Sequence, residues 1–396
     1  MEDAKPIARS AIVADEQWDV AVEKVLAEVQ GTPVDVVLLF ASGEYVEHYP
    51  AMLRMVQRAT GAPILLGCSG EGVIGIGTEL DLAPALSLMT LSLPGATLRP
   101  VRFSEEMVRR YKTPQQWRAA LDLLVDDVNA WLVFADPFHI DCEALVNTLS
   151  LAYAGLPILG GLASNDMEEQ RTYVFYNDEV FEEGGVGLAI GGPYTLLPLV
   201  SQGCEPIGEP WTITNVQNNS MIATISNRPA YELLIETFKQ LPAELRRRAQ
   251  NNLFVGLAAD EYLDHFERGS FLIRQLIGVD RHSGALAIGA FPRIGQTIQF
   301  QLRDAVTADR DLQERLAQVS ALTNRGQQQL VAGILCTCNG RGEDMFGVPD
   351  HDAGAVAQTF GSLPLAGLFC NGEIGPVGKR SFLHSFTASL ALLVKR

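Results

Sequence analysis

No stretch of this sequence stays apolar for long enough to cross a bilayer as a helix. The most apolar segment, residues 184–204, is broken by Gly191, Gly192, Pro193 and Pro198 and carries Ser201 and Gln202. A positive excess is missing too: 30 Lys and Arg stand against 47 Asp and Glu, for a net charge of −17. That argues against a nucleic-acid or anionic-membrane surface. The one basic knot, Arg246, Arg247 and Arg248, reads as a solvated helix end. The opening MEDAKPIARS has early acids and no apolar core, so a secretory signal is not evident and a cytoplasmic protein is expected. Six cysteines spread thinly over 396 residues point to free thiols rather than a disulfide framework. There is no Gly-x-Ser-x-Gly elbow, and the six histidines are scattered. The glycine-rich run at 70–77 lacks the lysine of a P-loop and opens on Glu71, which repels phosphate.

What is present is a repeated plan. With 47% hydrophobic and 19% charged residues the chain is globular, and its length predicts two domains. The runs VVLLFAS (36–42), AWLVFAD (130–136) and VAGILCTC (331–338) read as strands ending in small or polar residues. PILLGCSGEG from Pro63, PILGGLASND from Pro157 and LPLAGLFCNGEIGP from Leu363 each read as a strand emptying into a glycine-bearing polar turn. Apolar spacing at Tyr49, Leu53 and Val56, and at Cys142, Leu145 and Leu149, predicts helices between the first two pairs, hence βαβ units with parallel strands. Thr113-Pro114-Gln115-Gln116 is a capping box that starts a further helix, with Trp117, Leu121, Leu124 and Val128 as its buried stripe. Residues 85–103 and 285–302 each read as a strand, a turn and a strand, followed by a helix and a βαβ pair. Two related halves are therefore expected, joined near Asn227: residues 1–226 and 227–396. The fold class is α/β, two related domains with mixed sheets built from βαβ units and β-meanders. Setting Gly70-Glu71 against Gly372-Glu373 places Cys68 on Cys370 and Ser69 on Asn371.

Loops at the carboxyl ends of parallel strands form the crevice in which ligands bind. The turns supply Ser42, Cys68, Ser69, Glu71, Asp136, Ser164, Asn165, Asp166, Cys336, Cys338, Asn339, Arg341, Cys370, Asn371 and Glu373. The ligand-binding set drawn from them is Cys68, Ser69, Glu71, Ser164, Asn165, Asn339, Arg341, Cys370, Asn371 and Glu373. Arg341 has the fork geometry for a ligand carboxylate, or else pairs with Glu343, Asp344 or Glu373; Glu71 or Glu373 suits an ammonium. Cys336-Thr337-Cys338 has no second ligand pair of zinc spacing, so no metal is assigned and the thiols read first as small buried hydrophobes.

The motifs ILCTCNGRGEDMFG and LPLAGLFCNGEIGP, with NRPAYELL, resemble the C-terminal domain of the FIST family; VVLLFAS, PILLGCSGEGVIG, LPILGGLASND and GGVGLAI resemble its N-terminal domain. The resemblance implies an intracellular small-ligand sensory module without enzymatic activity, with amino acids among its proposed ligands. No output segment is evident, so a separate signalling partner is implied. Because some family members are reported to bind haem, a haem-linked sensor using His139, His265 or His384 is the alternative. His384-Ser385-Phe386-Thr387 departs from the family's pattern, and a buried histidine is expected there. A cysteine-dependent enzyme using Cys336, Cys338 or Cys370, and a scaffold without ligand, are the remaining readings.

Overall fold

A computed structural model describes residues 5–31, 33–81, 83–165, 170–325 and 328–396. The chain forms two compact units, residues 1–200 with 313–396, and residues 201–312. The cuts fall at 200/201 and 312/313, whereas the sequence pattern changes near Asn227.

The first unit is built from three copies of one strand-helix-strand-helix-strand-hairpin-strand plan. The first copy runs β1 (Ile7–Ala14), α1 (Trp18–Glu28), β2 (Val36–Ser42), α2 (Tyr49–Thr60), β3 (Ile64–Gly70), the hairpin β4 (Val73–Gly75) and β5 (Thr78–Leu80), and β6 (Ala85–Ser92). The second runs β7 (Thr97–Phe103), α3 (Glu105–Arg110), α4 (Pro114–Leu121), β8 (Ala130–Ala135), α5 (Cys142–Ala152), β9 (Ile158–Leu162), the hairpin β10 (Val174–Tyr176) and β11 (Glu179–Phe181), and β12 (Gly185–Gly191). The third opens with β13 (Tyr194–Ser201) and then passes through the second unit. That unit holds β14 (Glu205–Gln217), β15 (Met221–Ile225), β16 (Arg228–Pro229), α6 (Ala230–Gln240), α7 (Ala243–Ala249), β17 (Leu253–Ala258), β18 (Phe271–Asp280), β19 (Ala285–Ile288) and β20 (Thr297–Leu302). The third copy resumes along α8 (Ala305–Arg325), β21 (Gln329–Cys338), α9 (Gly342–Phe346), α10 (His351–Phe360), β22 (Leu365–Cys370), the hairpin β23 (Glu373–Val377) and β24 (Arg380–His384), and β25 (Ala388–Lys395).

Three six-stranded sheets repeat one order: β1-β6-β2-β3-β10-β11, β7-β12-β8-β9-β23-β24 and β13-β25-β21-β22-β4-β5. Each contains one parallel pair, β2/β3, β8/β9 and β21/β22, flanked by antiparallel neighbours. Each hairpin crosses to the sheet of another copy, so that β4 pairs with β22, β10 with β3 and β23 with β9. β2 and β8 are buried along their whole length and almost wholly apolar, because they are covered on both faces. One core cluster gathers Phe40, Phe134 and Cys336 from the three sheets.

One glycine in each copy makes the equivalence explicit. Gly67, Gly160 and Gly367 lie opposite Leu39, Val133 and Leu335. A Cβ there would sit 1.8, 1.8 and 1.9 Å from those residues' carbonyl oxygens, so only glycine fits. Aligned on these glycines, Glu71 corresponds to Ser164 and Asn371, and Glu373 to Val73. Setting Gly70-Glu71 against Gly372-Glu373 is therefore corrected by two residues: Glu71 sits in a turn, whereas Glu373 begins a hairpin strand.

The pairing of residues 85–103 with 285–302 is also corrected. β6 and β7 belong to two sheets of the first unit; β19 and β20 lie in a seven-stranded sheet of the second, ordered β14-β20-β17-β18-β19-β15-β16. The counterpart of β6 and β7 is β12 and β13. The capping box at Thr113 and Gln116 forms as expected, and Trp117 is fully buried. Asp122 then turns left-handed (φ 50°) and stops the helix at Leu121, which leaves Leu124 68% exposed rather than in a buried stripe. In the second unit Arg248 forks onto Asp304, and Arg246 caps α6 by donating to the carbonyls of Lys239 and Leu241. Among the described residues no helix is long and apolar enough to cross a membrane.

Candidate functional site

The polar turns after β3, β9 and β22 meet, and backbone amides tie them together. Phe369 N donates to Gly72 O (3.0 Å), Ser164 N to Ser69 O (3.1 Å), and Asn371 N to Leu162 O (3.2 Å). Ser164 is the common pin: its Oγ accepts from Glu71 N (2.7 Å) and donates to Phe369 O (2.5 Å). Three distant segments thus converge because each parallel pair ends at the same point of its repeat.

Convergence does not put every candidate in contact with open space. Cys68, Cys336 and Cys370 are buried in the core. Burial pushes all three thiols well up, with the neighbouring Cys336 adding to the effect at Cys68, and Glu373 adding at Cys336 and Cys370. Ser69 Oγ accepts from Tyr173 N (3.0 Å), and Ser42 Oγ from Ala85 N (2.8 Å). Asp136 is buried and folded back on its own loop, accepting from His139 N (2.6 Å) and Thr172 Oγ1 (2.7 Å), with His139 Nδ1 at 3.0 Å. Asn165 lies over Gly43, where a Cβ would meet its Oδ1 at 1.7 Å. Glu373 is fully buried, as befits the equivalent of Val73, and accepts from Thr387 N (2.9 Å) and from the Cys370 thiol (3.5 Å). His384 is buried, its Nε2 3.0 Å from Gly375 O. Asp166 lies outside the described residues.

Glu71, Asn339 and Arg341 do line one cavity, of about 460 Å³, together with Asp81, Glu343, Asp344 and Phe369. Asp81 follows the crossed-over hairpin and lies against Gly342, where a Cβ would stand 2.8 Å from its Oδ2. Gly342 has φ +36°, a left-handed conformation that also favours glycine. Asn339 Nδ2 donates to Asn371 Oδ1 (3.0 Å), while Asn339 Oδ1 and Asn371 Nδ2 are buried with no hydrogen-bond partner among the described residues.

Arg341 is completely buried. Its ion pair is with Asp352, not with Glu343, Asp344 or Glu373. Nε donates to Oδ2 (2.6 Å) and Nη2 to Oδ1 (2.9 Å), a two-point fork. Thr337 Oγ1 donates to the same carboxylate (2.9 Å), and His351 Nδ1 lies 2.8 Å from it. Burial raises the Asp352 carboxyl, but the Arg341 charge and the hydrogen bonds from His351 and Arg341 outweigh it and hold the group well below the usual range. Phe346 stacks on His351 with centroids 3.5 Å apart, and the Arg341 guanidinium sits 5.2 Å from the Phe346 ring centre. Among the described residues Arg341 Nη1 has no hydrogen-bond partner, and it is as inaccessible as the rest of the side chain.

Behind this pair Glu79 accepts from Ala353 N (2.8 Å). Burial first, and the Asp352 charge second, push its carboxyl up to about 7. Sequence reasoning missed Asp352, Thr337, Glu79 and Asp81. Thr337 had a signal: between two cysteines on a strand, it must face away from them.

Residues 35–228 match the FIST N domain and residues 230–376 the FIST C domain. An uncharacterized protein of Mycobacterium tuberculosis is 35% identical over 368 residues, 92% of each chain. One of Mycobacterium bovis is 32% identical over 367 residues, 93% of this chain and 92% of that one. An F-box/LRR-repeat protein of Arabidopsis thaliana is 32% identical over 107 residues, 27% of this chain and 20% of that protein. The structure of cyanuric acid hydrolase from A. caulinodans is 10% identical with a TM-score of 0.34, covering 99% of this chain and 100% of that one. With the two domain matches spanning most of its length, the chain belongs to the FIST family, its FIST N and FIST C domains in tandem.

Proposed function

We propose that this protein is a non-enzymatic sensor that binds an amino-acid-like metabolite in the cavity over Arg341 and acts through a separate partner protein. FIST domains are sensory-type domains. The observation that carries the reading is the cavity itself: converging turns bring Glu71, Asn339 and Asp81 around one polar space of about 460 Å³, a volume suited to a small ligand. The raised thiols of Cys68, Cys336 and Cys370 argue against a cysteine nucleophile, since the thiolate is the reactive form.

Calorimetric titration of the folded protein with the twenty amino acids tests the proposal. At least one is expected to bind, and Asn339→Ala is expected to weaken it about tenfold, the loss of one hydrogen bond at a charged group. A folded protein that takes up none of them overturns it.

A further inference from the structure

Two cysteines end neighbouring strands at the foot of the polar turns. Cys338 is the last residue of β21 and Cys370 the last of β22, and the parallel register sets them directly opposite each other. Neighbouring strands lie about 4.8 Å apart, inside the span of about 4.4–6.8 Å between Cα atoms that a disulfide bridges. Directly paired residues point to the same face, here the core face on which Cys336, Leu368 and Cys370 pack. The opposite face of β21 carries Thr337 and its bond to Asp352, so a crosslink leaves the Arg341 pair untouched.

Independent contacts fasten the two strand ends together. Asn339 N donates to Cys370 O (3.2 Å), and Asn339 Nδ2 donates to Asn371 Oδ1 (3.0 Å), so the residue after each cysteine holds the pair in register. Gly161 on β9 leaves room beside the sulfur, since a Cβ there would stand 3.1 Å from Cys370 Sγ. The two thiols differ in kind. Cys338 is partly exposed, whereas Cys370 is fully buried and donates to Glu373 Oε1 (3.5 Å). Burial and then Glu373 hold the Cys370 thiol up, which suits it to react second and not first. Cys336 shares the face but is buried and stands opposite Leu368. An accessible thiol poised beside a second one is the arrangement of a redox-sensing cysteine and its resolving partner.

We propose that Cys338 and Cys370 are a redox-active pair, in which a hydroperoxide oxidises Cys338 and Cys370 resolves the product to a disulfide joining β21 to β22. In the first step the Cys338 sulfur takes one oxygen of hydrogen peroxide: an S–O bond forms, the O–O bond breaks, and the other oxygen leaves as water. In the second the Cys370 sulfur attacks the Cys338 sulfur, forming S–S and breaking S–O. The Cys370 proton passes by way of Glu373 to the departing hydroxyl, which leaves as a second water. Two thiols are oxidised by two electrons and one peroxide is reduced. The strand spacing is shorter than the commonest disulfide span of about 5.5–6 Å, so the bond is strained and easily reduced, as a reversible switch requires. It closes residues 338–370 into a loop that holds α9 and α10, and with them Arg341, Glu343 and Asp344 of the cavity wall. The pair stands apart from the reading of the cavity as a ligand site, using neither its volume nor its charges.

The test is oxidation of the full chain with hydrogen peroxide, blocking of the remaining thiols with N-ethylmaleimide in denaturant, and peptide mapping without reductant. The expected product is a peptide pair joining Cys338 to Cys370, lighter by two hydrogens and separated by dithiothreitol. Cys370→Ser is expected to lose the crosslink and leave Cys338 as a sulfenic acid that dimedone traps. Cys338→Ser is expected to leave Cys370 unoxidised, and Cys336→Ser to retain the crosslink. Should Cys370→Ser fold poorly, the maps of the parent and of Cys338→Ser decide alone. A parent in which Cys338 passes to sulfinic acid while Cys370 stays a free thiol overturns the proposal. So does a bridge from Cys338 to Cys336, to Cys68 or to a second chain, and so does a folded protein whose six thiols all survive the peroxide.

Discussion

Glu79 offers the most quantitative test of the network beneath the cavity. Its carboxyl is moved from an ordinary 4.5 to about 7 by burial and then by Asp352, against the opposing Ala353 N–H, Arg341 and His351. An acid raised in this way stabilises the fold only while it is protonated. That contribution is complete below about pH 4.5 and is lost as pH rises through about 7. Glu79→Gln retains an oxygen for Ala353 N and never ionises. Relative to its low-pH value, the stability of the variant over the parent should widen by about 1 kcal/mol at pH 5, about 2 at pH 6 and about 3 at pH 8. Urea unfolding followed by tryptophan fluorescence reads this. Trp117 and Trp131 are fully buried in the first unit, and a Trp211→Phe background removes the second unit's signal. A difference that stays constant from pH 5 to pH 8, or narrows, refutes the placement of a half-buried acid against Asp352.

Two further outcomes follow. Gly67→Ala, Gly160→Ala and Gly367→Ala should each destabilise by about 3 kcal/mol or more, the upper end of overpacking, because each Cβ meets a carbonyl oxygen. Gly354→Ala, inside α10 with nothing within 4 Å, should stabilise by about 0.5–1 kcal/mol; thermal unfolding of the four variants checks the contrast. Iodoacetamide at neutral pH should label Cys338 first, since it is the half-buried thiol, and leave Cys68, Cys336 and Cys370 intact until unfolding. Peptide mapping that finds any of those three modified faster than Cys338 would contradict the burial described.

Much of the scaffold is legible in the linear pattern, and for local reasons. The runs at 36–42, 130–136 and 331–338 are apolar at consecutive positions, which only strands covered on both faces require. The turns after their partner strands carry the residues that meet. What misleads is identity without topology. The Gly-Glu dipeptides at 70–71 and 372–373 look equivalent, yet one glutamate is in a turn and the other is on a hairpin strand that crosses to another sheet. Residues 285–302 imitate 85–103 as two strands and a turn, but a strand pair carries no record of which sheet it joins. The partner of Arg341 is similarly hidden. Glu343 and Asp344 are nearer in sequence, but α9 holds them on the cavity wall, while the next helix brings Asp352 beneath the guanidinium.

The threefold plan also bears on why a cavity forms over Arg341. All three parallel pairs end in polar turns at equivalent points, so the backbone alone does not distinguish them. After β2, the space above Gly43 is filled by the Asn165 side chain. After β8, Asp136 turns inward and is satisfied by His139 and Thr172. Each of those corners is closed by side chains supplied from the same convergence. After β21 the chain takes a different course. Arg341 is drawn down by Asp352, Gly342 leaves room for the Asp81 carboxylate, and α9 sets Glu343 and Asp344 on the rim. A buried pair such as Arg341 and Asp352 is weak support for stability, because desolvation offsets most of its attraction. Its geometric effect is larger: by holding the guanidinium below the turn, it keeps open the space that the other two corners fill.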